Sequence, residues 1–145
     1  MLRILSFVFI GMTIACYAAG GQSNLAVRDT DPQSVLNKTW QWTATITPFE
    51  KTTVKNPERY TILLTDNGRF QGRFDCNRSG GDYKISSSKL SFGAIFSTRM
   101  ACPPDTLDTA FMRDLQRVSS FFIENGNLYL VLAADSGTMC FRSAP

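Results

Sequence analysis

The chain has 145 residues, with 15 lysines and arginines against 12 aspartates and glutamates, four cysteines and no histidine. That length fits one domain with a modest core. The missing histidine excludes Ser-His-Asp and Cys-His nucleophilic sites and the usual zinc and non-haem iron sites, and a formal net charge of +3 without a basic run or stripe argues against a nucleic-acid binder.

Met1-Leu2-Arg3 supplies one positive charge, Ile4 to Ala15 is almost wholly apolar, and Ala18, Ala19, Gly20 and Gly21 follow. This is the layout of a secretory signal peptide over residues 1–18. The apolar run falls short of the roughly 20 residues that a membrane span needs. Two cleavage routes stand open. Thr13-Ile14-Ala15-Cys16 resembles a lipobox, with the signal ending at residue 15 and a lipid on Cys16, although Thr13 stands where leucine is usual. The other route is ordinary cleavage after Ala18. Either one exports the chain, to the periplasm or to a lipid anchor at the outer membrane. Residues 19–37 hold Gly-Gly, Asp-Pro and no periodicity, and read as a flexible N-terminal arm. Residues 38–145 read as the folded domain.

Thr39 to Thr47 alternates around Trp40 and Trp42, which predicts a strand with both indoles on one face. Lys51 to Glu58 is polar and reads as a loop. Tyr60–Thr65 and Arg69–Cys76 flank Asp66-Asn67-Gly68, a hairpin signal. A three-residue loop with a left-handed Gly68 pairs Leu64 with Phe70, Ile62 with Gly72 and Tyr60 with Phe74. Only that register puts every apolar side chain on one face, leaving Arg69, Gln71, Arg73 and Asp75 outside. Asn77 to Gly81 reads as a turn, and shorter strands are predicted near Asp82–Ile85 and Lys89–Phe92. Leu107, Phe111, Leu115 and Val118 recur at helical spacing, predicting a helix over about Thr106–Val118 with Asp105 as N-cap and Asp108 closing a capping box. A second hairpin joins Ser119–Glu124 to Asn127–Ala133 through a two-residue Asn125-Gly126 turn, which aligns Phe121 and Ile123 with Leu130 and Leu128. A last strand, Thr138–Arg142, turns Met139 and Phe141 inward. Antiparallel strands with tight turns and one packed helix give a mainly β (α+β) chain folded as a small, partly closed barrel.

In an exported protein Cys76 and Cys102 meet an oxidising compartment, and each ends a structured segment. A bridge between them closes a loop of roughly 25 residues and contributes on the order of 3 kcal/mol; two packed free thiols are the alternative. Cys140 is then left over as a strand residue.

Asp66-Asn67-Gly68-Arg69-Phe70, Gly72, Cys76-Asn77, Gly80-Gly81, Tyr83, Leu90-Ser91-Phe92, Ser97-Thr98-Arg99-Met100-Ala101-Cys102, Phe111, Leu115 and Leu128-Tyr129-Leu130 occur in this order. Together they resemble the META domain family of HslJ-like proteins, over Trp40 to Phe141. The resemblance implies an antiparallel lipocalin-like or pilotin-like barrel with a packed helix. It also implies an envelope protein linked to stress response, drug tolerance or virulence, without an established catalytic activity.

The residues agree with a non-catalytic expectation. Ser79-Gly80-Gly81 lacks a Gly-x-Ser-x-Gly frame, so a turn is the plainer reading, and a Ser-Lys dyad with Lys84 or Lys89 is a remote one. Asp66, Asp75 and Asp82 fall at a strand end and in turns, where aspartate is ordinary. No catalytic, metal or cofactor-binding residues are assigned, and no cofactor is expected. Contact with a partner or ligand is assigned to Arg69 and Arg73 on the outer face of one strand and Arg78 just beyond it, joined by Arg99, and to Trp40 and Trp42 if they line a cavity mouth. A solvated strand face and core packing are the bland alternatives. The expected function is an exported envelope domain that acts as a monomer through protein contacts, and the alternative is a barrel that binds a lipid or another hydrophobic ligand.

Overall fold

The computed structural model describes residues 27–145. The predicted signal peptide, both cleavage routes and Cys16 lie outside the described residues. Among the described residues there are nine strands: β1 (Thr39–Ile46), β2 (Lys51–Thr53), β3 (Tyr60–Leu64), β4 (Arg69–Phe74), β5 (Asn77–Ser86), β6 (Lys89–Ser97), β7 (Val118–Glu124), β8 (Asn127–Leu132) and β9 (Thr138–Ser143). One helix, α1 (Asp108–Leu115), lies between β6 and β7. Strands β3 to β9 follow one another in space, and β1 pairs with both β3 and β9, so eight strands close a mainly β, antiparallel barrel. Strand β2 extends the line of β3 along the other half of β1. The thinnest seam is between β6 and β7, which share the single pair Lys89–Ser120.

The first hairpin has the register that gathers its apolar side chains. Leu64 faces Phe70, Ile62 faces Gly72 and Tyr60 faces Phe74. Gly68 has φ +80°, the left-handed conformation that closes the three-residue loop and that a side chain would resist. In the second hairpin Asn125 and Gly126 both have positive φ, and Phe121 and Ile123 face Leu130 and Leu128. Met139 and Phe141 on β9 are fully inside.

Four expectations need correction. Asn77 to Gly81 is not a turn but the first half of β5, and the short strands predicted near residues 82–85 and 89–92 are parts of a long β5–β6 hairpin. The glycines reflect close approach: a Cβ on Gly80 would come within 2.8 Å of the Phe96 ring and 3.0 Å of the Phe70 carbonyl oxygen. The Lys51–Glu58 loop contains β2 and a 3-10 turn at Pro57–Arg59. Helix α1 is shorter than predicted, and Asp105 does not cap it. Leu107 holds the N-cap position without a side-chain bond, while Asp108 Oδ1 accepts from the Thr109 amide at 2.7 Å. Val118, the last residue of the predicted stripe, opens β7 instead.

The fourth correction concerns the arm. Among its described residues, Asp29 forms a bridge with Ile123, Asp31 caps a 3-10 turn at Pro32–Ser34, and Val35 and Leu36 are buried in the core. Ser34 Oγ donates to the Asp29 carboxylate, which holds that carboxyl below its ordinary range. The indole of Trp40 donates to the Val35 carbonyl at 3.0 Å. Two buried apolar residues and a buried indole bond thus tie this segment to the barrel, where composition alone suggested a loose chain.

Candidate functional site

The barrel interior is filled. Trp40, Phe70, Phe74 and Leu130 are each 2% exposed or less. Trp42 is also buried, its indole donating to the Ala44 carbonyl at 2.9 Å and to Thr45 Oγ1 at 3.1 Å. Neither tryptophan reaches a cavity mouth; both are core residues. Helix α1 closes one end by inserting Phe111, whose ring stacks on Trp42 (centroids 4.8 Å apart) and meets Phe74 edge-on at 4.8 Å and Tyr60 at 5.8 Å. The Leu107 amide donates to the Tyr60 hydroxyl at 2.8 Å, fixing the approach to the helix.

The segment from Thr98 to Leu107 crosses that end, and one buried side chain holds its first half. Asn77 Oδ1 accepts from the Met100 amide at 2.7 Å and from Thr98 Oγ1 at 2.9 Å. Its Nδ2, with two hydrogens to share, lies 3.3–3.5 Å from Met100 O, Cys102 Sγ and Asp108 Oδ2. Beside it Cys76 and Cys102 form a disulfide, with Cα atoms 5.5 Å apart. The Cys-Asn and Ser-Thr-Arg-Met-Ala-Cys signatures therefore meet as one fastening: a covalent staple and a side-chain clasp that seat the loop carrying α1. Asn77→Ala leaves the Met100 amide without its partner and should cost about 1–3 kcal/mol, with faster amide exchange confined first to residues 98–102. Chemical denaturation with hydrogen exchange reads both.

Cys140 is the free thiol among the described residues; it is half-buried, and burial pushes its pKa up, so it stays protonated at neutral pH. Asp75, expected outside with Arg69, Gln71 and Arg73, is instead buried, because the tight turn between β4 and β5 (φ +61° at Asp75) directs it back to Arg59. Its Oδ1 accepts from Arg59 Nε at 2.6 Å, while its Oδ2 has no protein partner. The bond to Asp75 raises the Arg59 pKa, so the guanidinium stays charged. Asp82 pairs instead with Arg69 at 3.1 Å, both largely exposed. Asp75 and Asp82 are thus each matched with an arginine. Ser79 Oγ is hydrogen-bonded to Ser97 Oγ at 2.8 Å. Among the described residues no group of three or more cysteines, aspartates and glutamates is placed to hold a metal ion.

Two of the concavities on the outside involve the predicted arginines. The first, about 710 Å³, spreads over β1, β3, β4 and β5 and includes Arg73 and Arg78, which face each other directly across the β4–β5 ladder. Arg69 lies on the same strand face, committed to Asp82. The second, about 660 Å³, runs between β6, the 98–102 loop and α1, and Arg99 lines it. Its rim carries Phe96, 61% exposed, and Met100, 63% exposed. Period-2 reading from Leu90 and Phe92 would place Phe96 inside. An irregularity between the pairs Gly81–Ile95 and Tyr83–Phe92 gives β6 one extra residue, so Ile95 turns in and Phe96 out.

A similar fold occurs in solved structures, three of which follow. A protein from Burkholderia xenovorans solved by NMR superposes with a TM-score of 0.65 at 25% identity, covering 77% of this chain and 85% of its own. A second NMR structure gives 0.56 at 22% identity, covering 77% and 92%. A DUF4847 family protein from Bacteroides vulgatus gives 0.55 at 13% identity, covering 74% and 93%, a likeness of fold alone. No curated protein matches the sequence. The META domain model matches residues 33–145, the interval that holds the barrel, the staple and the clasp, and on that match the chain belongs to the META domain family.

Proposed function

We propose that this META domain is a non-catalytic, exported component of the cell envelope that acts through protein contacts, in the stress-response or drug-tolerance setting implied by the HslJ-like resemblance. The observation that carries the reading is the rim of Phe96 and Met100, two large apolar side chains left in solvent beside α1 while the barrel interior is filled. Exposed apolar side chains grouped at a groove are a common mark of a contact surface. The amino-terminal signal pattern and the Cys76–Cys102 disulfide support an oxidising compartment. A hydrophobic ligand inside the barrel is less well supported, because it would have to displace Trp40, Phe70, Phe74 or Leu130.

A photoreactive residue in place of Phe96, in cells that express the protein from its own locus, tests the reading. The expected result is a discrete envelope adduct that weakens when Met100 is also changed to Glu, and a loss of stress survival on deletion. Crosslinking that recovers only monomer, together with unchanged survival, overturns it. Lipid retained by the purified protein in native mass spectrometry would favour the ligand-binding alternative.

A further inference from the structure

A second feature of the surface is independent of the Phe96 rim. The outward row of side chains that crosses β9, β1, β3, β4 and β5 is Arg142, Gln41, Thr61, Arg73 and Arg78, by direct pairing from strand to strand. It holds three arginines and no carboxylate. Arg142 Nε donates to Gln41 Oε1 at 2.9 Å, so this cation is engaged. Arg73 and Arg78 are opposed on neighbouring strands, where paired Cα atoms sit about 4.5–5.5 Å apart and like charges destabilise the sheet. Neither forms an ion pair among the described residues; the nearby acids Asp75 and Asp82 are taken by Arg59 and Arg69.

The pair is also partly set in place. Arg73 Nε donates to the Asp75 carbonyl at 2.9 Å, from a turn that Arg59 grips, which leaves the two terminal nitrogens of Arg73 to point elsewhere. On the next row Gln71 faces Gly80, whose missing side chain leaves room for the Phe96 ring, so the groove is bounded on that side and Arg73, Arg78 and Gln71 line it. Thr39, Thr61 and Gln71 add neutral hydrogen-bonding groups to the same groove. The groove is shallow and open to solvent, with a volume of about 710 Å³, room enough for a phosphate group between the two guanidiniums.

We propose that this outer groove is an anion site, in which Arg73 and Arg78 together take a phosphate-type oxyanion. Two guanidiniums from adjacent strands offer paired N–H donors that match the oxygens of a phosphate, and an anion between them removes the repulsion that the bare fold bears. The phosphate group can belong to a soluble compound or to an anionic lipid headgroup.

The test is a titration of the ¹⁵N-labelled mature chain, disulfide intact, with inorganic phosphate, and separately with phosphatidylcholine vesicles with and without phosphatidylglycerol. Saturable shifts centred on the amides of Gln71, Arg73 and Arg78 are expected. Arg78→Gln should weaken them about tenfold and leave thermal stability unchanged or raised, whereas Arg69→Gln leaves binding intact. Saturation by free phosphate points to a soluble ligand. A response only to phosphatidylglycerol vesicles, with the same dependence on Arg78, points to a headgroup. No saturable response to either probe, shifts spread equally over Arg69, Lys84 and Lys89, or binding that survives Arg78→Gln overturns the proposal.

Discussion

Phe111→Ala should lower the stability of the domain by about 3–5 kcal/mol, the cost of emptying a large aromatic site in a packed core. Phe111 is the one helix residue that touches rings from four strands: Trp42 on β1, Tyr60 on β3, Phe74 on β4 and Phe141 on β9. It is fully buried, and so is every one of those rings to within 3%. Removing it opens a void at the barrel end and also frees α1, whose other buried anchor is Leu115 together with Asp114. Small domains have only about 5–15 kcal/mol in total, so thermal unfolding should move down by about 10–20 °C. A loss below about 1 kcal/mol would mean that the helix is not the plug described here.

The second large effect is that of the staple. Replacing both Cys76 and Cys102 with serine should cost about 3 kcal/mol, since the bridge closes a loop spanning 26 residues of the chain. The loss should be local before it is global. Strands β3, β4, β7 and β8 keep their ladders, while residues 98–107 lose the covalent end of their fastening and rely on Asn77 alone. Hydrogen exchange should therefore rise first across that segment and at the start of α1. Asn77 Nδ2 lies 3.3 Å from Cys102 Sγ, so the cysteine and Asn77 substitutions belong to one network and their costs should not add. Equal protection of residues 98–107 with and without the bridge would contradict this picture.

The parts of the fold that were legible in the sequence are those fixed by local chemistry. Gly68 and the Asn125-Gly126 pair demand positive φ, and each then sets the register of its hairpin because only one register puts the apolar residues together. The parts that were not legible depend on neighbours far along the chain. Ser79-Gly80-Gly81 looks like a turn until Phe96 and Phe70 are seen to press on those glycines. Phe96 looks like a core residue until the extra residue in β6 reverses the faces. Val35 and Leu36 looked like part of a tether because two apolar residues among polar ones show no period.

The candidate sites divide in the same way. Cys76 and Cys102 were readable as a pair from their position beside structured segments, and they are bonded. Arg69 and Arg73 are readable as one outer strand face with Arg78 just beyond it, but not that Arg69 has an acidic partner while Arg73 and Arg78 oppose each other without one. Asn77 gathers five polar partners within a turn-like run of polar and small residues, and its only sequence signal is its place in the Cys-Asn signature. Trp40 and Trp42 show the reverse case: conspicuous in the sequence as candidates for a cavity, they are core residues with satisfied indoles.

The central claim, an exported and disulfide-stapled META domain, is tested most directly by the intact mass of the protein isolated from the envelope of cells that make it, without reduction. The predicted mass is that of a chain beginning either at a lipid-modified Cys16 or after Ala18, lighter by two hydrogens for one disulfide, with Cys140 still open to alkylation after denaturation. A chain that begins at Met1 and alkylates at all four cysteines would contradict it.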